Sequence, residues 1–123
     1  MKISFASLDG VHVNQHFGWC ECFYMYKLNE NGYKFLKELK SEQKITDEVD
    51  KLEYKISSLE DSDMVCVSQI GPKAANMVQA NGIYPMKSSN EYEKIEDILN
   101  SLQKKIKDNP PIWLKRILIK NTQ

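Results

Sequence analysis

The stretch Met64-Val65-Cys66-Val67-Ser68-Gln69-Ile70-Gly71-Pro72 joins a short, continuous apolar run to a glycine–proline pair. An apolar run of this length is typical of a strand that is buried on both faces of a parallel sheet. Proline is well tolerated in the first turn of a helix, so the pair predicts that a helix begins here. A buried strand that leads directly into a helix indicates an α/β fold.

The segments before this stretch predict three strands and a helix. Ile3 and Phe5 alternate with polar residues as in a short strand, and two apolar segments on either side of residues 29–32 indicate an antiparallel hairpin. Thr46 is expected to cap the helix that follows. Apolar residues in this helix recur at steps of three and four, which predicts one buried face: Ile45, Val49, Leu52, Ile56 and Leu59.

The segments after this stretch predict a further strand and a last helix. Pro85 indicates that the strand near residues 83–86 lies at the edge of the sheet. Asn90 with Glu93 has the pattern of a capping box that opens the last helix. The order β-β-β-α-β-α-β-α therefore predicts a mixed five-stranded sheet flanked by helices.

The composition indicates one globular domain of 123 residues, with 41% hydrophobic and 28% charged residues. We expect residues 1–109 to form this domain and residues 110–123 to form a basic and apolar tail. Seventeen basic and 17 acidic residues cancel, which argues against a nucleic-acid partner because such proteins need an excess of Lys and Arg. No apolar run approaches the roughly 20 residues of a membrane span. Three cysteines, an odd number, favour a reduced, cytoplasmic protein.

The cancelled charge conceals a local asymmetry. Residues 41–63 carry eight acids and three lysines, whereas residues 104–120 carry five lysines and Arg116 against a single acid, Asp108. Two solvated helix faces would explain this pattern. Alternatively, the basic end docks an acidic partner or an anionic ligand.

The loop from Asp9 to Cys22 contains both histidines and two of the three cysteines. Imidazole nitrogen and thiolate sulfur are the side-chain ligands that bind iron, zinc or copper at neutral pH. We expect His12 to be a turn residue that faces solvent. His16 is the stronger candidate, because Phe17 can be buried beside it while Gly18 lets the backbone turn.

Cys20 and Cys22 would share one face if they lie on an extended strand. A closed zinc site needs four ligands in spaced pairs, and the chain has no second pair of this kind. Cys66 lies in an apolar run and is expected to be a core residue. An open site with one to three ligands remains possible, as does a small redox protein that uses Cys20 and Cys22.

The start of the helix at Gly71 is the second candidate site. Free N–H groups at a helix N-terminus attract anions, and Lys73 adds a positive charge in the first turn. Plain helix packing would also explain the small residues there. If the first and fourth strands are neighbours, the His16 loop and this helix start meet at the carboxyl ends of the strands, where α/β sheets bind ligands.

The chain resembles the NifX/NafY family of nitrogenase-cofactor carriers, a domain also found at the C-terminus of NifB. Five stretches carry the resemblance: Asp9-Gly10, Asn14-Gln15-His16-Phe17-Gly18, Asp63 to Gly71-Pro72, Gly82-Ile83 to Pro85-Met86-Lys87, and Asn109-Pro110-Pro111-Ile112-Trp113-Leu114. Two features depart from the family pattern. Trp19-Cys20 and Cys22 replace small or aliphatic residues, and a single glycine precedes Pro72 where a pair is common.

The resemblance implies a ribonuclease-H-like motif and a non-enzymatic carrier. Its cargo would be the iron–sulfur product of NifB, a precursor of the iron–molybdenum cofactor, or that cofactor itself. Its partners would be NifB, the NifE–NifN scaffold and nitrogenase. The expected cofactor-binding residues are Gly18, Cys20, Cys22, Gly71 and Lys73, together with His16, in the matching His-Phe-Gly triplet, as the metal ligand. A regulatory module of the same fold that binds a protein partner without a metal cluster is the alternative.

Overall fold

The computed structural model describes residues 1–121. It contains five strands and four helices: β1 (Lys2–Ala6), β2 (Cys22–Asn29), β3 (Gly32–Lys40), α1 (Glu48–Ser58), β4 (Met64–Val67), α2 (Pro72–Ala80), β5 (Tyr84–Lys87), α3 (Ile95–Lys107) and α4 (Ile112–Asn121). The predicted order of elements is confirmed as far as α3. None of the helices in this part of the chain is long and apolar enough to cross a membrane.

The strands form one mixed sheet in the order β3-β2-β1-β4-β5. β1, β4 and β5 are parallel, and the hairpin of β2 and β3 pairs antiparallel to β1. The predicted five-stranded α/β sheet with its ribonuclease-H-like arrangement is thus confirmed. β5 lies at one edge, where Pro85 costs no ladder hydrogen bond on its open side.

Two helical layers cover the two faces of the sheet. α1 and α2 contribute Leu52, Ile56 and Val78 to one core cluster, and α3 and α4 contribute to the other. β4 supplies both clusters, because Val65 points to the first layer and Cys66 to the second, and both residues are fully buried. This alternation confirms that the apolar run at residues 64–67 is a strand buried on both faces.

A fourth helix forms where the sequence indicated a basic and apolar tail. In α4, Leu114 is fully buried and Ile117 is 9% exposed, and both pack in the same cluster as α3. Their spacing of three residues puts them on one face of the helix, while lysine and arginine between them face outward. The expected break after residue 109 falls in the turn between α3 and α4, and residues 122 and 123 of the tail lie outside the described residues.

The N-terminus of α1 differs from the prediction in its cap and in its first apolar residues. Asp47, not Thr46, caps the helix, because its carboxylate accepts a hydrogen bond of 2.9 Å from the backbone N–H of Asp50. Ile45 therefore precedes the helix, and Val49 lies in the first turn with 39% exposure. The buried stripe is shorter than predicted and begins at Leu52.

The start of α3 also differs from the prediction. The side chain of Asn90 accepts from the backbone N–H of Tyr92, and that of Glu93 accepts from the N–H of Ser89. These bonds close a turn instead of opening a helix, because such short side chains compete for backbone N–H groups. α3 begins at Ile95, and Tyr92 is 82% exposed.

A matched pair of substitutions tests which residues form the buried face of α1. Leu52→Asp should destabilise the protein by about 3 kcal/mol or more, because a carboxylate would be buried without a partner. Val49→Asp, one turn earlier and exposed, should change the free energy of unfolding by about 0.5 kcal/mol or less. Thermal unfolding followed by circular dichroism measures both, and an equal loss in the two variants would contradict this account of the helix.

Candidate functional site

The pairing of β1 with β4 continues beyond the two strands into the loops that follow them. The backbone N–H of Phe17 donates to the carbonyl of Gln69 over 2.9 Å, and that of Ser68 donates to the carbonyl of Gln15 over 3.0 Å. His16 and Gln69 consequently lie side by side in a parallel bridge. The expectation that the first and fourth strands are neighbours is confirmed, and the His16 loop meets the start of α2.

A groove of about 660 Å³ lies between this loop, α1 and the start of α2. One wall comes from the loop after β1, one from the segment after β4, and one from α1. The lining includes His16, Gly18, Trp19, Lys51, Leu52, Gln69, Gly71, Lys73 and Ala74, with Glu48 and Glu91 also present. Four of the predicted site residues, His16, Gly18, Gly71 and Lys73, therefore share one groove.

A tight turn presents His16 to the groove. The carbonyl of His16 accepts hydrogen bonds from the N–H groups of Trp19 and Cys20, at 3.2 and 3.0 Å. Phe17 is fully buried and anchors the turn in the core, as the sequence predicted. The imidazole itself is half-buried and stacks on the indole of Trp19, with ring centroids 4.2 Å apart and ring planes 7° apart.

The start of α2 gives the opposite wall a positive character. Gly71 is the N-cap and has no side chain to occupy the first turn, and Pro72 follows it at the first helical position. The N–H groups of Lys73 and Ala74 have no carbonyl acceptor one turn earlier, as at the start of any helix. The helix dipole and the ammonium of Lys73 add positive potential, so this wall favours an anion.

Two lysines of α1 lie at the groove or beneath it, and neither was predicted from the sequence. Lys51 lines the groove, and its ammonium lies 3.8 Å from the position that a Cβ on Gly18 would occupy. Lys55 is 4% exposed, and this burial lowers the pKa of its ammonium. The ammonium donates hydrogen bonds to the carbonyls of Cys20 and Ser41. Both lysines lie within the acidic run of residues 41–63, which obscured their position on the inner side of the helix.

The structure does not bring Cys20 and Cys22 to the groove. Cys20 precedes β2, is fully buried and donates to the carbonyl of Cys22, and burial raises its pKa to about 11. Cys22 begins β2, is half-buried and lies 3.8 Å from Glu38, and burial raises its pKa as well. Cys66 is a core residue in the opposite layer, with a pKa raised by burial to about 12.

His12 lies in a separate turn. Its Nδ1 is 2.7 Å from the Asp9 carboxylate, which also accepts from the backbone N–H groups of Val11 and His12. These hydrogen bonds hold the pKa of Asp9 well below its usual range. Across residues 1–121, no group of three or more His, Cys, Asp or Glu side chains is arranged to hold a metal ion.

Two solved structures share this fold. PH0822 superposes with a TM-score of 0.65 at 18% identity, over 85% of this chain and 89% of that one. The structure of mj0327 from Methanocaldococcus jannaschii superposes with a TM-score of 0.60 at 13% identity, over 86% and 90%. At these identities the likeness concerns the fold alone.

Sequence comparison identifies the family. Residues 1–105 match the family described as "Dinitrogenase iron-molybdenum cofactor", and the chain belongs to this family. It is 34% identical to protein NifX of Herbaspirillum seropedicae, over 100% of this chain and 85% of that protein. It is also 30% identical to protein NifX of Azotobacter vinelandii, over 96% and 75%, and 29% identical to protein NifY of Klebsiella pneumoniae, over 69% and 37%.

The environments of the three thiols predict a large difference in reactivity. Only thiolates react with disulfide reagents, so raised pKa values and burial should leave Cys20 and Cys66 unmodified in the folded protein at pH 8. The half-buried Cys22 should react slowly. A colorimetric thiol assay should therefore count one thiol in native protein, three in denaturant, and none in native Cys22→Ser. Rapid modification of two thiols in the native state would show that Cys20 is accessible.

Proposed function

We propose that this protein is a non-enzymatic, cytoplasmic carrier of an iron–sulfur precursor of the nitrogenase iron–molybdenum cofactor. Its cargo is the cluster made by NifB, or the finished cofactor, and it passes this cargo between NifB, the NifE–NifN scaffold and nitrogenase. Family membership and the similarity to NifX proteins support this role. The observation that carries the proposal is the placement of His16 opposite the positive end of α2 in one groove.

One imidazole suits a cargo that must be released. Permanent iron–sulfur clusters are held by a full set of protein ligands, commonly four cysteine thiolates. His16 is the one histidine or cysteine among the residues that line the groove, so a cluster there would keep most of its coordination sphere free of the protein. Such a cluster can move to another protein by exchange of a single protein ligand.

Positive groups at the groove would add to the affinity. An iron–sulfur cluster is an anion, and Lys51, Lys73 and the first turn of α2 face it from two walls of the groove. Gly18 and Gly71 leave room for a bulky group, because a Cβ at Gly71 would meet nothing within 4 Å and one at Gly18 only the end of Lys51. Glu48 and Glu91 also line the groove and offset the two lysines, so the remaining positive character comes from the first turn of α2.

Cys20 and Cys22 are not ligands in the proposed carrier. A thiol must lose its proton to bind iron, and burial opposes that loss for both residues. The Cys20 thiol is also engaged with the carbonyl of Cys22. We therefore treat Cys20 as a core residue that supports the turn, with His16 as the sole protein ligand.

His16→Ala tests the ligand assignment. After anaerobic incubation with the NifB product and gel filtration, this variant should lose most of the bound iron, while its melting temperature changes by no more than a surface substitution allows.

His12→Ala and Cys22→Ser are the matched controls for this experiment, because each removes a neighbouring candidate ligand outside the groove. Both should retain iron as the parent does. If His16→Ala retains iron equally well, or if Cys22→Ser loses it, the assignment is wrong.

One observation favours the alternative, a module that binds a protein partner without a cluster. The end of α3 and α4 expose Lys104, Lys105, Lys107, Lys115 and Arg116, and none of them has a carboxylate within 4.0 Å among residues 1–121. An acidic protein surface would complement this face. Protein that elutes without iron after incubation with the NifB product, yet co-elutes with NifE–NifN in a salt-dependent manner, would favour this function over the carrier.

A further inference from the structure

Trp19 is a large aromatic residue that is mostly exposed and still makes a well-defined ring contact. Its side chain is 68% exposed, and its indole nevertheless lies parallel to the imidazole of His16. The hydrogen bond from the Trp19 N–H to the His16 carbonyl sets the spacing of three residues that brings the two rings face to face. The contact is therefore built into the turn.

Different contacts orient the imidazole rings of His12 and His16. His12 is oriented by the Asp9 carboxylate at 2.7 Å, the kind of hydrogen bond that commonly orients a metal-binding imidazole. No residue between 1 and 121 makes a hydrogen bond or ion pair with the ring nitrogens of His16. The contact that fixes the plane of the His16 ring is thus the stack with Trp19.

We propose that Trp19 is the positioning residue of the groove, whose indole holds the His16 imidazole in the orientation that binds metal. This inference rests on the proposed carrier function. The basic nitrogen of a neutral imidazole carries its lone pair in the plane of the ring, so a stack that covers one face leaves that nitrogen open to a metal. A carboxylate would orient the ring through the nitrogen that carries the proton, whereas the indole orients it through its face.

The stack gives the exposed indole of Trp19 a role at the edge of the groove. Trp19 lines both this groove and a smaller adjoining hollow of about 250 Å³ beside Lys55. Without the stack, the imidazole would rotate about its side-chain bonds, and binding would carry the entropic cost of fixing it. The indole removes part of that cost before the cargo arrives.

The first arm of the test uses ligand-free protein in a Trp113→Phe background, which leaves Trp19 as the single tryptophan. A stacked imidazole covers one face of the indole, so at one fixed pH His16→Ala should shift the emission maximum of Trp19 and increase its quenching by acrylamide. His12→Ala should leave both unchanged. If the emission of Trp19 is the same in the parent and in His16→Ala, the two rings are not stacked in solution and the proposal is wrong.

The second arm measures the affinity for the NifB product under anaerobic conditions, by iron retained against added cluster. Trp19→Ala and Trp19→Leu should weaken binding roughly three- to tenfold, the range expected for the loss of an aromatic stack. Trp19→Phe should stay within about twofold of the parent. All three variants should have melting temperatures close to that of the parent, because the side chain of Trp19 is exposed.

The outcomes separate this inference from the proposed function. If the parent retains no iron, the carrier function fails. If the parent retains iron and Trp19→Ala retains as much, the positioning role fails while the carrier function stands. If Trp19→Leu binds as tightly as Trp19→Phe, apolar cover and not ring stacking is what the site needs, which also overturns the proposal.

Discussion

The parallel pairing of β1 with β4 is the constraint on which the site depends. Parallel strands end at the same edge of a sheet, so the loop after β1 and the start of α2 must emerge together. Backbone hydrogen bonds between Phe17 and Gln69 and between Ser68 and Gln15 extend this pairing past the strands. They place His16 and Lys73 in the lining of one groove, so the backbone pairing sets the position of the groove.

This construction separates stability from binding. The side chains that hold the fold together, such as Phe17 and Leu52, are buried, whereas His16, Trp19 and Lys73 lie at the surface of the groove and contribute little to the core. Their substitution should therefore change affinity more than stability. A carrier of the proposed kind would benefit from this separation, because its affinity for the cargo could change between capture and release without loss of the folded state.

The fold followed from the sequence wherever burial on two faces or a proline fixed the local structure, as at β4, the start of α2 and the edge strand β5. The prediction was wrong where side chains competed for the backbone, since Asp47 displaced Thr46 as a cap and Asn90 closed a turn. Lys51 escaped notice because its role arises from packing between α1 and a distant loop. Cys20 lies in the turn before β2, and its burial arises from tertiary packing that the sequence pattern does not show.

Iron-edge X-ray absorption of the anaerobically loaded protein tests most directly whether His16 binds the cluster. The iron should be coordinated mainly by the sulfides of the cluster, with a nitrogen ligand that shows the outer-shell scattering of an imidazole ring. That imidazole signal should disappear in any cluster that His16→Ala still retains. A spectrum of the parent without an imidazole contribution, or with added thiolate sulfur that disappears in Cys22→Ser, would contradict the account.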